Sequence, residues 1–322
     1  MKTIAVLTSG GDAPGMNACL RAVVRTALHH KLEIQGIMRG YEGLMDADFV
    51  KLDAKAVSNI IHRGGTILKT ARSQRFLTEE GLSSAASELA RKKIDGLIVI
   101  GGDGTFRGAL ALARHTGIKI IGCPGTIDND LAGTDFTIGY DTAINTVVDA
   151  VDKIRDTAES HERLFFVEVM GRDAGLIALR SGIGAGAEAI LIPETPTHID
   201  DLVKRLEGGR KNKSSKIVIV SEHDAAGGAF AVAEYVKKKL PFYDTRITIL
   251  GHIQRGGNPT CMDRVNASRM GFAAVEALLA GRTGEMVGII DKQVCYTPFS
   301  GAIKHLEELD RNLLRMMEIL SL

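Results

Sequence analysis

Residues 118–130 read I-K-I-I-G-C-P-G-T-I-D-N-D. The apolar run Ile118–Cys123 ends in two chain-breakers, Pro124 and Gly125, and then in two carboxylates, Asp128 and Asp130, separated by one amide. Continuous apolar runs of this length suit strands covered on both faces, unlike the alternation of a half-exposed sheet. The same pattern recurs along the chain. Candidate strands are Thr3–Leu7, Glu33–Met38, Gly96–Ile100, Lys119–Gly122, Leu164–Val169, Ala189–Ile192, Lys216–Val220, Thr248–Gly251 and Val287–Ile290. Helical patterns stand between many of them, over Met16–His30, Thr78–Lys93, Thr105–Thr116, Thr142–Ser160, Ile199–Glu207, Ala229–Lys239 and Met262–Leu279. Strand–helix alternation predicts an α/β fold with parallel sheets covered by helices on both faces. The number of strands predicts two such sheets, hence two doubly wound, mainly parallel-sheet domains. In such sheets ligands bind beyond the carboxyl ends of the strands. The residues that follow each strand are therefore the ones to read for function.

Bulk properties remove several classes. A chain of 322 residues is long enough for two domains. Lys plus Arg number 40 against 39 Asp plus Glu, so there is no basic excess of the kind that coats duplex nucleic acid. No apolar stretch approaches the roughly 20 residues of a membrane span, and the run Ile4–Leu7 is too short for a signal-peptide core. Cys19, Cys123, Cys261 and Cys295 form no C-x-x-C pair and are expected to be buried or inert thiols in a reducing compartment. These features predict a soluble cytoplasmic protein that engages neither nucleic acid nor membrane.

Two loops are rich in glycine. Ser9–Gly15 (S-G-G-D-A-P-G) precedes a helix, and its glycines let backbone N–H groups approach an anion at the positive helix N-terminus. It matches neither the P-loop nor the dinucleotide fingerprint, and alone it equally suits a tight turn. Gly101–Thr105 (G-G-D-G-T) adds an acid, Asp103. An acid beside phosphate oxygens makes sense when Mg²⁺ lies between them, since that ion takes carboxylate, water and phosphate oxygens. In Pro124–Asp130, Thr126 offers a hydroxyl. In a phosphoryl transfer one of its two acids can take the proton of an attacking hydroxyl while the other holds metal or water. An Asx-rich turn is the alternative. Met170-Gly171-Arg172-Asp173 and His252-Ile253-Gln254-Arg255-Gly256-Gly257 also follow strands, and Arg63, Arg72, Arg163 and Arg246 lie near loops or strand edges. Arginine repeatedly set at strand ends points to anionic ligands, because guanidinium grips phosphate with two donors. Glu222 offers a sugar hydroxyl an acceptor, though alone it better suits a solvated acid. Together these features point to a kinase acting on a phosphorylated small molecule.

The motifs Leu7–Asn17 (L-T-S-G-G-D-A-P-G-M-N), Gly101–Thr105, Pro124–Asp130, Met170–Arg172 and Gly251–Gly257 (G-H-I-Q-R-G-G) resemble those of the bacterial-type ATP-dependent 6-phosphofructokinases. Order and spacing match, and the resemblance covers essentially the whole chain. G-G-D-G-T alone is similar to loops of NAD kinases and lipid kinases, whereas P-G-T-I-D-N-D with G-H-I-Q-R-G-G is specific. The resemblance implies an ATP-binding domain of residues 1–139 with 253–305. It implies a sugar-phosphate-binding domain of residues 140–252 with 306–322, and an active site in the cleft between them. The implied reaction is the glycolytic, Mg²⁺-dependent transfer of the ATP γ-phosphate to the 1-hydroxyl of D-fructose 6-phosphate.

The resemblance also implies residue roles. Gly11, Arg72, Ser73, Phe76, Gly102, Asp103, Gly104 and Thr105 line the ATP site, with Asp103 at Mg²⁺. Asp128 is the base, flanked by Thr126 and Asp130. Arg172 and Arg72 stabilise charge on the transferred group. Met170, Gly171 and Glu222 contact the sugar. His252 and Arg255 hold its 6-phosphate, which residues matching Arg163 and Arg246 reach from a neighbouring subunit, usually in a homotetramer. Pyrophosphate-dependent relatives tend to carry an acid where this chain has Gly104 and Lys where it has Gly125, so ATP is expected. Effector positions for ADP or phosphoenolpyruvate match Arg21, Arg25, Arg155, Gly186, Glu188, Lys211 and Lys213. Arg21 and Arg25 equally suit an exposed helix face. Ala54 and Asn59 depart from the pattern of well-regulated members and predict a weak or altered response. A non-catalytic sensor would be expected to lack Asp103, Asp128, Arg72 or Arg172, and all four are present.

Overall fold

Thr3–Thr8 (T-I-A-V-L-T) forms the first strand, β1, and from Ile4 onward every one of its residues is buried. Its neighbours follow the strand–helix rhythm of the sequence. After β1 come α1 (Met16–His29), β2 (Glu33–Ile37), α2 (Gly40–Met45), β3 (Phe49–Lys51), α3 (Glu79–Arg91), β4 (Gly96–Gly101), α4 (Asp103–Thr116) and β5 (Lys119–Pro124). Then come α5 (Tyr140–His161), β6 (Arg163–Val169), α6 (Leu176–Gly184), β7 (Ala189–Leu191), α7 (Ile199–Gly208), β8 (Lys216–Ser221), α8 (Gly228–Lys239) and β9 (Asp244–Ile249). The chain ends with α9 (Cys261–Leu279), β10 (Glu285–Ile290), β11 (Gln293–Pro298) and α10 (Arg311–Leu320). The structure, a computed structural model, describes residues 1–161, 163–196, 198–208, 216–302, 304 and 310–320. By internal contacts the chain divides into two units. One comprises Met1–Ile127, Leu131–Thr142 and Arg255–His305, the other Asp128–Asp130, Ala143–Gln254 and Leu306–Leu322.

The first unit holds a seven-stranded sheet ordered β11-β10-β5-β4-β1-β2-β3. Its centre is parallel, with Ile4 of β1 in register with both Ile34 of β2 and Gly96 of β4. From β1 the chain moves to β2 on one side and later to β4 on the other. The carboxyl ends of β1 and β4 therefore flank a topological switch point, where doubly wound sheets bind ligands. Leu97 and Val99 of β4 enter a core with Leu89, Phe106 and Leu112. Burying each such side chain contributes about 1.5–3 kcal/mol. On α9, a Cβ at Gly271 would lie 2.5 Å from the Cys19 carbonyl of α1, so glycine allows that close backbone approach.

The second unit holds an all-parallel sheet ordered β7-β8-β6-β9. Val169 pairs with Ser221, and Glu168 with Ile249. The carboxyl ends of β8, β6 and β9 thus end level, and the segments beginning Glu222, Met170 and Gly251 leave the sheet side by side.

The interior strands fall where the apolar runs predict them. The edges differ. β3 and β11 pair antiparallel to the sheet, and neither reads as a continuous apolar run. β11 follows β10 through Asp291 and Lys292, both at positive φ (48° and 66°), the backbone of a tight hairpin turn. β9 begins at Asp244 rather than Thr248, because its partly exposed D-T-R-I-T-I suits an edge strand. The short helices α2 and α6 and the terminal α10 lie outside the helical patterns of the sequence. Cys19 and Cys123 are buried, Cys295 is partly buried and Cys261 is exposed.

Candidate active site

In the seven-stranded unit, three loops that the sequence places far apart are joined by hydrogen bonds. The Ser9 N–H donates to the Ile100 carbonyl at 3.0 Å. Thr105 Oγ1 donates to the Ser9 carbonyl at 3.2 Å. The Gly125 N–H donates to the Gly101 carbonyl at 2.9 Å. Thr70 Oγ1 donates to the Gly10 carbonyl at 2.9 Å, and the exposed Arg72 lies two residues further on. Gly101 admits no side chain, since a Cβ would sit 2.3 Å from Thr105 Oγ1 and 2.5 Å from the Ser9 carbonyl. At Gly104 the opposite holds, with nothing within 4 Å of where a Cβ would stand. The fold requires glycine at 101 and leaves 104 open. A Cβ at Gly102 would meet Thr126 Cβ at 3.8 Å, so the second glycine loop faces the Pro124–Asp130 segment.

The other nucleotide candidates take mixed positions. Asp103 opens α4 and meets Arg107 one turn on, at 3.0 Å. Arg107 is 69% exposed, so the pair is weak and its carboxylate remains accessible. One carboxylate at a helix N-terminus fits Mg²⁺, which takes one or two protein carboxylates when phosphates and water complete its shell. Among the described residues no group of three or more His, Cys, Asp or Glu could hold a metal alone. Ser73 Oγ donates to Glu42 at 2.5 Å and accepts the Phe76 N–H at 3.0 Å. Phe76 is buried, stacked on Tyr41 at 3.9 Å between ring centroids. Arg255 Nη1 donates to the Asp12 carbonyl at 3.2 Å, and a Cβ at Gly11 would stand 2.6 Å from that nitrogen. Arg255 thus lies against the first glycine loop.

Pro124–Asp130 turns sharply at Asn129, whose φ is 54°. Asparagine tolerates this left-handed backbone better than most residues. Asp128 and Asp130 are both buried, at 4% and 7% exposure. The returning chain braces the loop. The Ile138 N–H donates to the Pro124 carbonyl at 2.8 Å, and Thr137 Oγ1 to the Thr126 carbonyl at 2.6 Å. That return is anchored by Asp263 of α9, which accepts the Gly139 and Thr142 N–H groups, each at 2.8 Å, and the Thr142 hydroxyl. Burial pushes the Asp263 carboxyl above its ordinary value, against the pull of those donors.

In the four-stranded unit, the Met170–Gly175 turn carries Arg172. Gly171 has φ 139°, and a Cβ there would lie 2.3 Å from the Ala174 carbonyl. Arg172 itself is left-handed at φ 53°, a costly state for arginine. Its N–H is held by Glu222 Oε1 at 2.9 Å, and that of Met170 by Gln254 Oε1 at 3.2 Å. Its Nε lies 3.9 Å from Asp128 Oδ2. His252 is exposed in the short turn after β9. On adjacent strands Arg163 and Arg246 share one carboxylate, Asp244, at 2.7 and 3.1 Å. Hydrogen bonding from Arg163, with the charge of Arg246, holds Asp244 below its ordinary value. Sequence reasoning misses Gln254, Asp244 and Asp263 as structural supports. Each is polar, but Gln254 meets Met170, Asp244 meets Arg163, and Asp263 meets Gly139 and Thr142 across long stretches of sequence.

Of the effector candidates, Arg21 and Arg25 lie on α1, and Arg21 is pushed down by burial and by Arg25. In the other unit the Arg155 guanidinium donates to the Ala185 carbonyl, Gly186 is left-handed, and Glu188 accepts the Ile217 N–H at 2.5 Å. Lys211 and Lys213 lie outside the described residues.

A family model described as phosphofructokinase matches residues 3–278. The chain belongs to the phosphofructokinase family. A Bacteroides thetaiotaomicron relative named ATP-dependent 6-phosphofructokinase 2 is 54% identical over 100% of this chain and 99% of its own. A Thermus thermophilus relative named ATP-dependent 6-phosphofructokinase 1 is 53% identical, with both chains fully covered. A solved Saccharomyces cerevisiae phosphofructokinase matches at 36% identity with TM-score 0.87, covering all of this chain and 48% of that one. This phosphofructokinase-family chain therefore spans about half the yeast chain. A pyrophosphate-dependent phosphofructokinase from Marinobacter aquaeolei, at 23% identity and TM-score 0.85, shares the fold.

Proposed function

We propose that this phosphofructokinase-family chain is an ATP-dependent 6-phosphofructokinase. It moves the γ-phosphoryl group of ATP to the 1-hydroxyl of D-fructose 6-phosphate, giving fructose 1,6-bisphosphate and ADP. The observation that carries the reading is the buried Asp128, with Arg172 Nε 3.9 Å from its carboxylate. Asp128 takes the proton of the 1-hydroxyl as the sugar oxygen bonds to the γ-phosphorus. The bond from that phosphorus to the β–γ bridging oxygen breaks, and the oxygen leaves with ADP. Arg172 and Arg72 offset charge on the group in flight, while Thr126 and Asp130 keep the base in place. Asp103 holds Mg²⁺, which supplies neutralisation of the phosphate oxygens when bound. Met170, Gly171 and Glu222 bind the sugar, His252 and Arg255 hold its 6-phosphate, and Arg163 and Arg246 reach that phosphate from a neighbouring subunit.

ATP is favoured over pyrophosphate because Gly104 is open for reasons the fold does not impose. The room left there suits the adenosine moiety. We further infer a cytoplasmic homotetramer with an effector site for ADP or phosphoenolpyruvate. Among the described residues no helix is long and apolar enough to cross a membrane. A coupled assay with fructose 6-phosphate tests the reading. Turnover with ATP and Mg²⁺, absent without Mg²⁺ and absent with pyrophosphate, is expected. Turnover with pyrophosphate in place of ATP would overturn it.

A further inference from the structure

The Met170–Gly175 turn has a third brace that no motif marks. Gly175 precedes α6, and its N–H donates to Glu194 Oε1 at 2.6 Å. The approach is tight, since a Cβ at Gly175 would lie 2.6 Å from Glu194 Oε2 and 2.5 Å from Ile192 Cβ. Oε2 itself is buried and has no hydrogen-bond partner among the described residues. A carboxylate with one bonded and one orphaned oxygen is an expensive way to cap a helix. The arrangement makes sense in terms of what the bonded N–H terminates. Gln254 fixes the first residue of the turn, Glu222 its third and Glu194 its last. The Ala174 N–H closes back on the Gly171 carbonyl at 3.0 Å. With both ends and the middle pinned, the left-handed backbone at Arg172 has nowhere to relax, and its guanidinium stays on the Asp128 side.

We propose that Glu194 is a positioning residue for phosphoryl transfer, acting through Arg172 by holding the end of its turn. The proposal rests on the role given to Arg172 above. It predicts that Glu194→Ala lowers kcat about 10- to 100-fold, the scale of loss when a transition-state contact is misplaced. KM for ATP should stay within about twofold, because the affected contact strengthens only in the transition state. Glu194→Gln retains the acceptor and should keep kcat within about threefold of wild type.

The deciding measurement repeats Glu194→Ala in an Arg172→Ala background. If Glu194 acts through Arg172, the second substitution costs less than about twofold there, because neighbouring effects in one unit do not add. Losses that multiply, or a single variant with unchanged kcat, would overturn the inference. Full turnover by Arg172→Ala alone would remove the role of Arg172, and with it this proposal. An impaired Arg172→Ala with multiplying losses removes only the role of Glu194. Melting temperatures of every variant are measured alongside. If Glu194→Ala does not fold, Glu194→Asp, which withdraws the acceptor by one methylene while keeping the charge, is put through the same cycle.

Discussion

The loops of the two units are built from different materials. In the seven-stranded unit the segments after β1, β4 and β5 are joined mainly through backbone groups, with glycine where a side chain would collide, as at Gly101. In the four-stranded unit the turn after β6 is held by side chains, Gln254, Glu222 and Glu194, that arrive from other strand ends. A loop that must offer N–H groups to a phosphate chain needs bare backbone. On the proposed reading the second loop aims one guanidinium at a reacting group, which needs a fixed side-chain direction, and Arg172 there has a left-handed backbone.

The contrast is broken most severely at Asp128, the base of the proposed reaction. Asp128→Asn should lower turnover by about a thousandfold or more, at the upper range of general-base contributions, with the melting temperature preserved. Steady-state rates beside a thermal melt check this. Next is the backbone side. Gly104→Asp adds a side chain where nothing in the fold lies within 4 Å, so stability should hold. KM for ATP should rise about 10- to 100-fold, the equivalent of roughly 1.4–2.8 kcal/mol. Unchanged ATP affinity would mean that glycine at 104 does not serve the nucleotide.

Stability effects come last. Asp263→Ala strands the buried Gly139 and Thr142 donors and should cost about 3 kcal/mol in denaturant unfolding. Its pH dependence has a definite sign. Because the folded-state value is raised, the contribution of Asp263 is full below the ordinary carboxyl range and declines as pH rises through the raised value. The stability advantage of wild type over Asp263→Asn should therefore shrink as pH climbs from acid toward neutral. Asp95 provides the opposite case. The N–H groups of Lys2 and Thr3 hold its carboxyl below the ordinary value. Its contribution is present at neutral pH and lost as pH falls through the lowered value. Asp95 is exposed, so Asp95→Asn should have the smallest effect, under about 1 kcal/mol.

Much of the candidate site was legible in the linear chain because glycine and paired acids form local patterns. Where backbone must approach a ligand, or three loops must close on one another, only glycine fits. That is why Gly101 can be read without knowing its neighbours. The supports were harder to read. Asp263 binds Gly139 and Thr142 more than a hundred positions away, and Asp244 joins two arginines on adjacent strands. Neither the Asp263 contacts nor the pairing of Asp244 with Arg163 leaves a local pattern. Two edge strands, β3 and β11, escaped for a related reason. β11, with no fully buried residue, lacks the unbroken apolar run that identifies interior strands, and so does the start of β9.

The sequence alone determined the α/β architecture, because buried parallel strands must be apolar on both faces and their helices must be amphipathic. It also determined which loops are the candidates for chemistry, since glycine, aspartate and arginine gather there at strand ends. Tertiary structure decided how that chemistry is aimed. The left-handed Arg172, the brace from Glu194 and the anchor at Asp263 all depend on which strand ends become neighbours. Sheet order sets that adjacency through long-range packing, and no local stretch of the chain encodes it.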